Sequence, residues 1–170
     1  MTFLSRLFGN SADPREELRG LWHRIVEVAR ERQWYSELGV ADTVEGRFEM
    51  IVAVLSLVLI RMESDESLTR TSVLLTELFV EDMDGQLRQR GIGDLVMGKH
   101  IGRLVSALGG RLGAYRAALA QPGNRALAAA VARNFDLPES KEGADLAQAL
   151  RDRSGRLARI ANDDLLAGKF

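Results

Sequence analysis

The chain has 170 residues, carries 23 Lys and Arg against 24 Asp and Glu, and contains no cysteine. That length makes one ordinary domain, long enough to bury about two thirds of the surface its unfolded form exposes. The missing thiols exclude a disulfide framework, thiolate zinc sites, iron-sulfur ligation and a cysteine nucleophile, and they fit a reducing compartment.

The opening stretch, MTFLSRLFGNSADP, lacks the apolar core of a signal peptide and is too Arg-poor for an organellar presequence. Residues 1–12 therefore read as a flexible tail at the start of the mature protein, and residues 13–170 as one helical domain. Phe3, Leu4, Leu7 and Phe8 with Arg6 could alternatively form a short amphipathic turn for a partner or a membrane face. Asp13-Pro14 with Glu16 has the pattern of a helix start, with an acid to cap, proline in the first turn and a glutamate where a capping box places one. The spacing predicts a helix to about residue 32, buried along Leu18, Leu21, Trp22, Ile25, Val26 and Ala29. Residues 34–39, WYSELG, read as a bend or single turn whose two aromatics cap the core.

A second helix is expected over about residues 43–64. Its centre, MIVAVLSLVLI, is the most apolar run in the chain, but it falls well short of the roughly 20 residues that cross a bilayer, so it reads as a helix buried mid-domain. Phe48, Ile51, Val52, Leu55, Leu59 and Met62 keep the helical period beyond the run. Further helices are expected over about residues 67–90, 94–120, 124–134 and 141–166, punctuated by Gly91, Pro122-Gly123 and Asp136-Leu137-Pro138. No segment alternates at period two for long, and the sum is an all-α, single-domain bundle of about six helices.

Residues 78–99 admit two readings. Gly93, Gly98 and Lys99 nearly match the phosphate-binding loop, but His100 stands where a Ser or Thr must hold magnesium, and no strand precedes the glycines. The alternative is a helical hairpin. Asp84 and Arg88 have the acid-first spacing of an intrahelical ion pair, Gly91 ends one helix, and Asp94 caps the next. That next helix carries Gly98, Gly102, Gly109, Gly110 and Gly113, each costing about 1 kcal/mol relative to Ala in a helix interior. Gly98 and Gly102 would admit a neighbouring backbone, most simply by close packing inside the domain, while Gly109-Gly110 is where the helix would bend or break.

Charge divides unevenly: residues 1–85 hold nine basic against sixteen acidic side chains, and residues 86–170 hold fourteen against eight. The halves either neutralise each other across the fold or leave a basic surface for nucleic acid or anionic lipid. Enzymatic chemistry finds little support. His23 and His100 are the only histidines, Glu27 lies one turn from His23, and neither HExxH nor the Glu-x-x-His pairs of di-iron bundles occur. There is no G-x-S-x-G elbow. Glu81, Asp82 and Asp84 read as a solvated face with an ion pair.

Four segments in order, FEMIVAVLSLVLIRME (48–63), LFVEDMDGQLRQRGIGDLVMGKHIGR (78–103), GGRLGAYRAAL (109–119) and ALAAAVARN (126–134), resemble the ubiquinol-cytochrome c chaperone family, with Asp84-x-x-Leu87-Arg88 and Gly91-x-x-Asp94 the most specific parts. The resemblance covers somewhat over half the chain. It implies a mostly helical, non-catalytic protein without cofactor or small-molecule substrate, which holds newly made cytochrome b and steers it into respiratory complex III beside the membrane. Mitochondrial relatives also act with a small partner protein and contact the ribosome; this chain looks like the compact bacterial form, cytoplasmic or peripheral on the inner membrane. On that footing Phe79, Met83, Asp84, Leu87, Arg88, Asp94, Lys99 and Arg103 are expected to form or support the client-binding surface. Phe79, Met83 and Leu87 are also good core residues, whereas Lys99 and Arg103 should be exposed. The rival reading is a nucleic-acid or ribosome-binding adaptor that uses the basic C-terminal half.

Overall fold

A computed structural model describes residues 13–89, 94–138 and 143–170; for Leu87 and residues 94–97 it describes the backbone alone. All regular elements among the described residues are helical. They are α1 (Arg19–Ala29), α2 (Arg32–Ser36), α3 (Val44–Met62), α4 (Thr69–Gln89), α5 (Asp94–Leu119), α6 (Arg125–Asn134), α7 (Ala144–Leu157) and α8 (Asn162–Leu166), with 3-10 turns at Glu16–Leu18 and Glu66–Leu68. The six longer helices match the expected number, and the two five-residue helices are additions. The expected tail at residues 1–12 and the Gly91 stop lie outside the described residues.

The most apolar run is the centre of the bundle. Every residue from Met50 to Leu59 is buried, as expected of a helix that is hydrophobic all round, and α1, α4, α5 and α7 pack around it. The polar Ser56 survives there because its hydroxyl donates to the Val52 carbonyl at 2.7 Å. Thr43 starts the helix by accepting the Gly46 N–H at 3.1 Å. A Cβ on Gly46 would stand 2.0 Å from the Ala41 carbonyl oxygen, so this turn requires glycine.

The first expected helix, to about residue 32, is shorter and broken. Asp13 caps at two residues' distance, accepting from the Arg15 N–H at 2.9 Å and from its guanidinium, and a 3-10 turn follows before α1 begins at Arg19. The far end stops at Ala29 because its carbonyls have other partners. The Trp34 indole N–H donates to Val28 at 2.6 Å and the Tyr35 hydroxyl to Ala29 at 2.7 Å. The two aromatics thus fold back over the end of α1, with Trp34 buried and Tyr35 partly so.

The last expected helix is likewise two. Arg61 donates to the Leu157 and Ile160 carbonyls at 3.2 and 2.8 Å and to the Asn162 side chain at 2.8 Å, which captures the end of α7 and starts α8. Asp65 completes the corner, accepting from Asn162 Nδ2 at 2.7 Å. By contrast α5 runs unbroken through Gly109-Gly110, against the expectation of a bend or break there. Its last carbonyls, Ala118 and Leu119, accept from Arg151 at 3.1 and 3.2 Å. Gly123, at φ +71°, then turns the chain in a conformation that favours glycine.

Candidate functional site

The pair α4 and α5 is built on α3. Leu104 lies near Phe48 and Ile51, and Leu112 near Leu59, so α5 runs in the same sense as α3 and antiparallel to α4. Two guanidinium forks fix it there. Arg111 donates to the two oxygens of Glu49 at 3.0 and 2.6 Å, and Arg116 donates to Glu63 at 2.7 Å. The Arg111 fork is partly buried, and its hydrogen bonds to Glu49 push the arginine pKa further up. With Arg153 and Glu31 at 2.5 Å, these pairs join acids of the first half to arginines of the second. The uneven charge along the sequence is therefore partly neutralised across the fold.

Between α4 and α5 runs a groove made of two adjoining depressions of about 480 and 240 Å³ that share Thr76 and Glu77. Val80 and Ile101 line one end; Val73, Leu59 and Leu112 line the other. Val73 is 55% exposed and Val105 46%. Val105 follows Ile101 by four residues and precedes Leu112 by seven, which puts it on the groove face of α5. The helix glycines are open too, but none of them lines either depression. A Cβ on Gly98, Gly102, Gly109, Gly110 or Gly113 would meet nothing within 4 Å, so the expected close packing inside the domain is not found among the described residues.

The eight residues picked from sequence separate into distinct environments. Phe79 is fully buried, edge-on to Trp22 with ring centroids 6.1 Å apart and 6.4 Å from Phe48, so it is a core residue and offers no surface for contact. Met83 is 6% exposed and faces a different concavity, the cleft between α3, α4 and α5. Asp84 lines the α4–α5 groove and accepts from Arg88 Nε at 2.9 Å, the ion pair its spacing implied. Lys99 and Arg103 are exposed, as expected. Leu87 and Asp94 lie on α4 and α5, but their side chains, and with them the Asp94 cap, fall outside the described residues.

The near-match to a phosphate loop does not survive in space. Gly98 and Lys99 sit inside α5, which has already begun at Asp94, and the described residues contain no strand to precede them. The neighbouring acids are engaged: Glu81 with Arg15 at 2.8 Å and Arg19 at 3.4 Å, and Asp82 with the Gln86 amide at 3.3 Å. Among the described residues no three His, Cys, Asp or Glu side chains gather to hold a metal ion. No helix there is long and apolar enough to cross a membrane.

Sequence reasoning missed Val73, which lines the groove from outside the buried stripe of α4; an apolar residue out of phase with its own stripe was the signal available. Val105 shares a face with Ile101 and Leu112 by spacing, but it was not chosen as a site residue. The arrangement is a mostly apolar trough, with Glu77, Glu81 and Asp84 of α4 along one wall and Ile101 and Leu112 of α5 along the other.

The family model described as Ubiquinol-cytochrome C chaperone matches residues 36–170. Among solved structures, the Cbp3 homolog from Brucella abortus is similar with a TM-score of 0.81 and 32% sequence identity, covering 98% of this chain and 94% of that one. No curated protein matches the chain.

Proposed function

The chain belongs to the ubiquinol-cytochrome c chaperone family, and from that premise we propose that it is a non-catalytic assembly chaperone that receives newly made cytochrome b at the α4–α5 groove and delivers it to the ubiquinol-cytochrome c reductase complex. The observation that carries this reading is the exposed apolar pair Val73 and Val105 flanking a groove floored by Val80, Ile101 and Leu112. A membrane protein waiting for its bilayer has apolar helices to shelter, and a trough between two helices accepts such a segment along one face. Gly109, four residues from Val105 on the same side of α5, leaves open space where a helix backbone approaches closely, as small residues allow in membrane helix packing.

Asp84 lines one end of the groove and holds Arg88, with Phe79 fixing α4 beneath them, and these two with the exposed Lys99 and Arg103 on the far side of α5 would meet the polar flanks of the client. The work takes place beside the inner membrane, where the client is inserted. The rival adaptor role is supported less well, because Arg111, Arg116 and Arg153 of the basic half are already paired with Glu49, Glu63 and Glu31.

The test is copurification of cytochrome b with tagged protein from membranes treated with a crosslinker. The double substitution Val73→Asp, Val105→Asp changes two exposed side chains, so it should lower capture at least about tenfold while circular dichroism and the thermal midpoint hold. Arg88→Glu with Lys99→Glu should lower capture less. Undiminished capture in a folded Val73→Asp, Val105→Asp protein would show that the client binds elsewhere.

A further inference from the structure

Towards the start of α3, two concavities join. One is the cleft of about 380 Å³ with an apolar floor of Val44, Phe48, Ile51, Met83 and Leu104. The other is a cleft of about 630 Å³ lined by Arg30, Arg32, Tyr35, Ser36, Asp42 and Arg47. Arg30 and Arg47 line both, so cationic and apolar surface share one rim; the first cleft also holds Glu45 and Glu49, of which Glu49 is taken by Arg111.

The charge of the second cleft is not cancelled locally. It holds three guanidinium groups and one carboxylate, and Asp42 is taken by Arg47 Nε at 2.6 Å. Arg30 and Arg32 are exposed, and no carboxylate among the described residues pairs with either. Arg30 stands at the carbonyl end of α1, where a cation complements the helix dipole, but Arg32 opens α2 at the end where a cation is disfavoured. Folding alone accounts for the first and not for the second. Val44, which follows the cap of α3, is 50% exposed at the mouth of the apolar cleft.

We propose that this joined cleft binds an anionic phospholipid of the bilayer surface, its phosphate against Arg30, Arg32 and Arg47 and the start of an acyl chain over Val44 and Phe48. Guanidinium pairs with phosphate oxygens through two parallel hydrogen bonds, and an anionic leaflet draws basic surface towards it. An acidic peptide or an RNA strand would use the arginines but leaves the adjoining apolar floor without a purpose. Arg30, Arg32, Arg47, Val44 and Phe48 line neither depression of the α4–α5 groove, so a membrane-bound chaperone keeps that groove free. The inference rests on the protein working at a membrane face, but not on which client it holds.

The experiment is co-sedimentation of the full chain with phosphatidylcholine vesicles, with and without phosphatidylglycerol, and without client. The parent protein should sediment only with anionic vesicles. Arg30→Glu with Arg32→Glu should weaken that partition at least about tenfold, Val44→Asp should weaken it severalfold, and Arg125→Glu with Arg133→Glu, an equal charge change at two exposed positions elsewhere, should leave it within about twofold. Loss in both double variants or in neither overturns the site. So does release by inorganic phosphate beyond that caused by chloride at equal ionic strength, which would make a free anion the ligand. Retention on RNA that needs Arg30 and Arg32, with anionic vesicles ignored, also overturns it. Loss of client capture in the Val73→Asp, Val105→Asp protein with vesicle binding intact would separate the two surfaces.

Discussion

Replacing Arg111 by Met should destabilise the fold by about 2 kcal/mol. The Glu49 side chain is 13% exposed and that of Arg111 24%, and two charge-assisted hydrogen bonds of 3.0 and 2.6 Å join them. Removing one partner of a fully buried pair costs about 3–5 kcal/mol, because the other charge is left without its counterpart. Here water still reaches part of the Glu49 carboxylate, and Met keeps most of the aliphatic packing of the arginine stem, which reduces the figure to roughly 2 kcal/mol. In urea, with a slope of about 2 kcal/mol per molar, the unfolding midpoint falls by about 1 M. Adding Glu49→Leu should recover most of the loss, since the stranded carboxylate disappears. A midpoint unmoved by Arg111→Met would show that α5 is held by its apolar face alone, and a double variant no better than the single would refute the stranded-charge explanation.

Gly46→Ala places a methyl 2.0 Å from the Ala41 carbonyl oxygen and should cost at least about 2 kcal/mol, visible as a lowered thermal midpoint, whereas an unchanged midpoint would contradict the close approach. Gly110→Ala adds its methyl to open space in the interior of α5, so stability should rise by up to about 1 kcal/mol; a loss would reveal a neighbour on that side. Asp65 accepts hydrogen bonds from the Ser67 side chain, from Asn162 and from the Ser67 N–H, which hold its carboxyl below its ordinary value of 3.8. Its contribution is therefore present above that value and is lost as pH falls through the lower folded one. Urea midpoints measured from about pH 5 to about pH 2 should decline less steeply in Asn162→Ala than in the parent, and parallel curves would refute the linkage.

What the sequence made legible was whatever depends on one helix at a time. The apolar run of α3 announces a central helix, the Asp84 and Arg88 spacing announces its ion pair, and Thr43 and Pro122-Gly123 mark ends. The misses share a cause, which is a partner outside the helix concerned. No local rule ends α1 at Ala29, because the groups that take its carbonyls are Trp34 and Tyr35, folding back from the next segment. The break after Leu157 is made by Arg61, from another helix altogether. The same limit applies to the candidate site. Met83 and Asp84 are neighbours in the chain yet face separate concavities. The basic cleft also escaped, since Arg30, Arg32 and Arg47 are gathered by the turn between α1 and α3.

The two arginine forks have a mechanical meaning. Glu49 and Glu63 stand fourteen positions apart on α3, so their grips on α5 prevent it from both sliding and rolling over the central helix. The opposite wall is tethered as well, since Glu81 of α4 is held by Arg15 and by Arg19 at the start of α1. A trough braced on both flanks meets its guest as a shape already set.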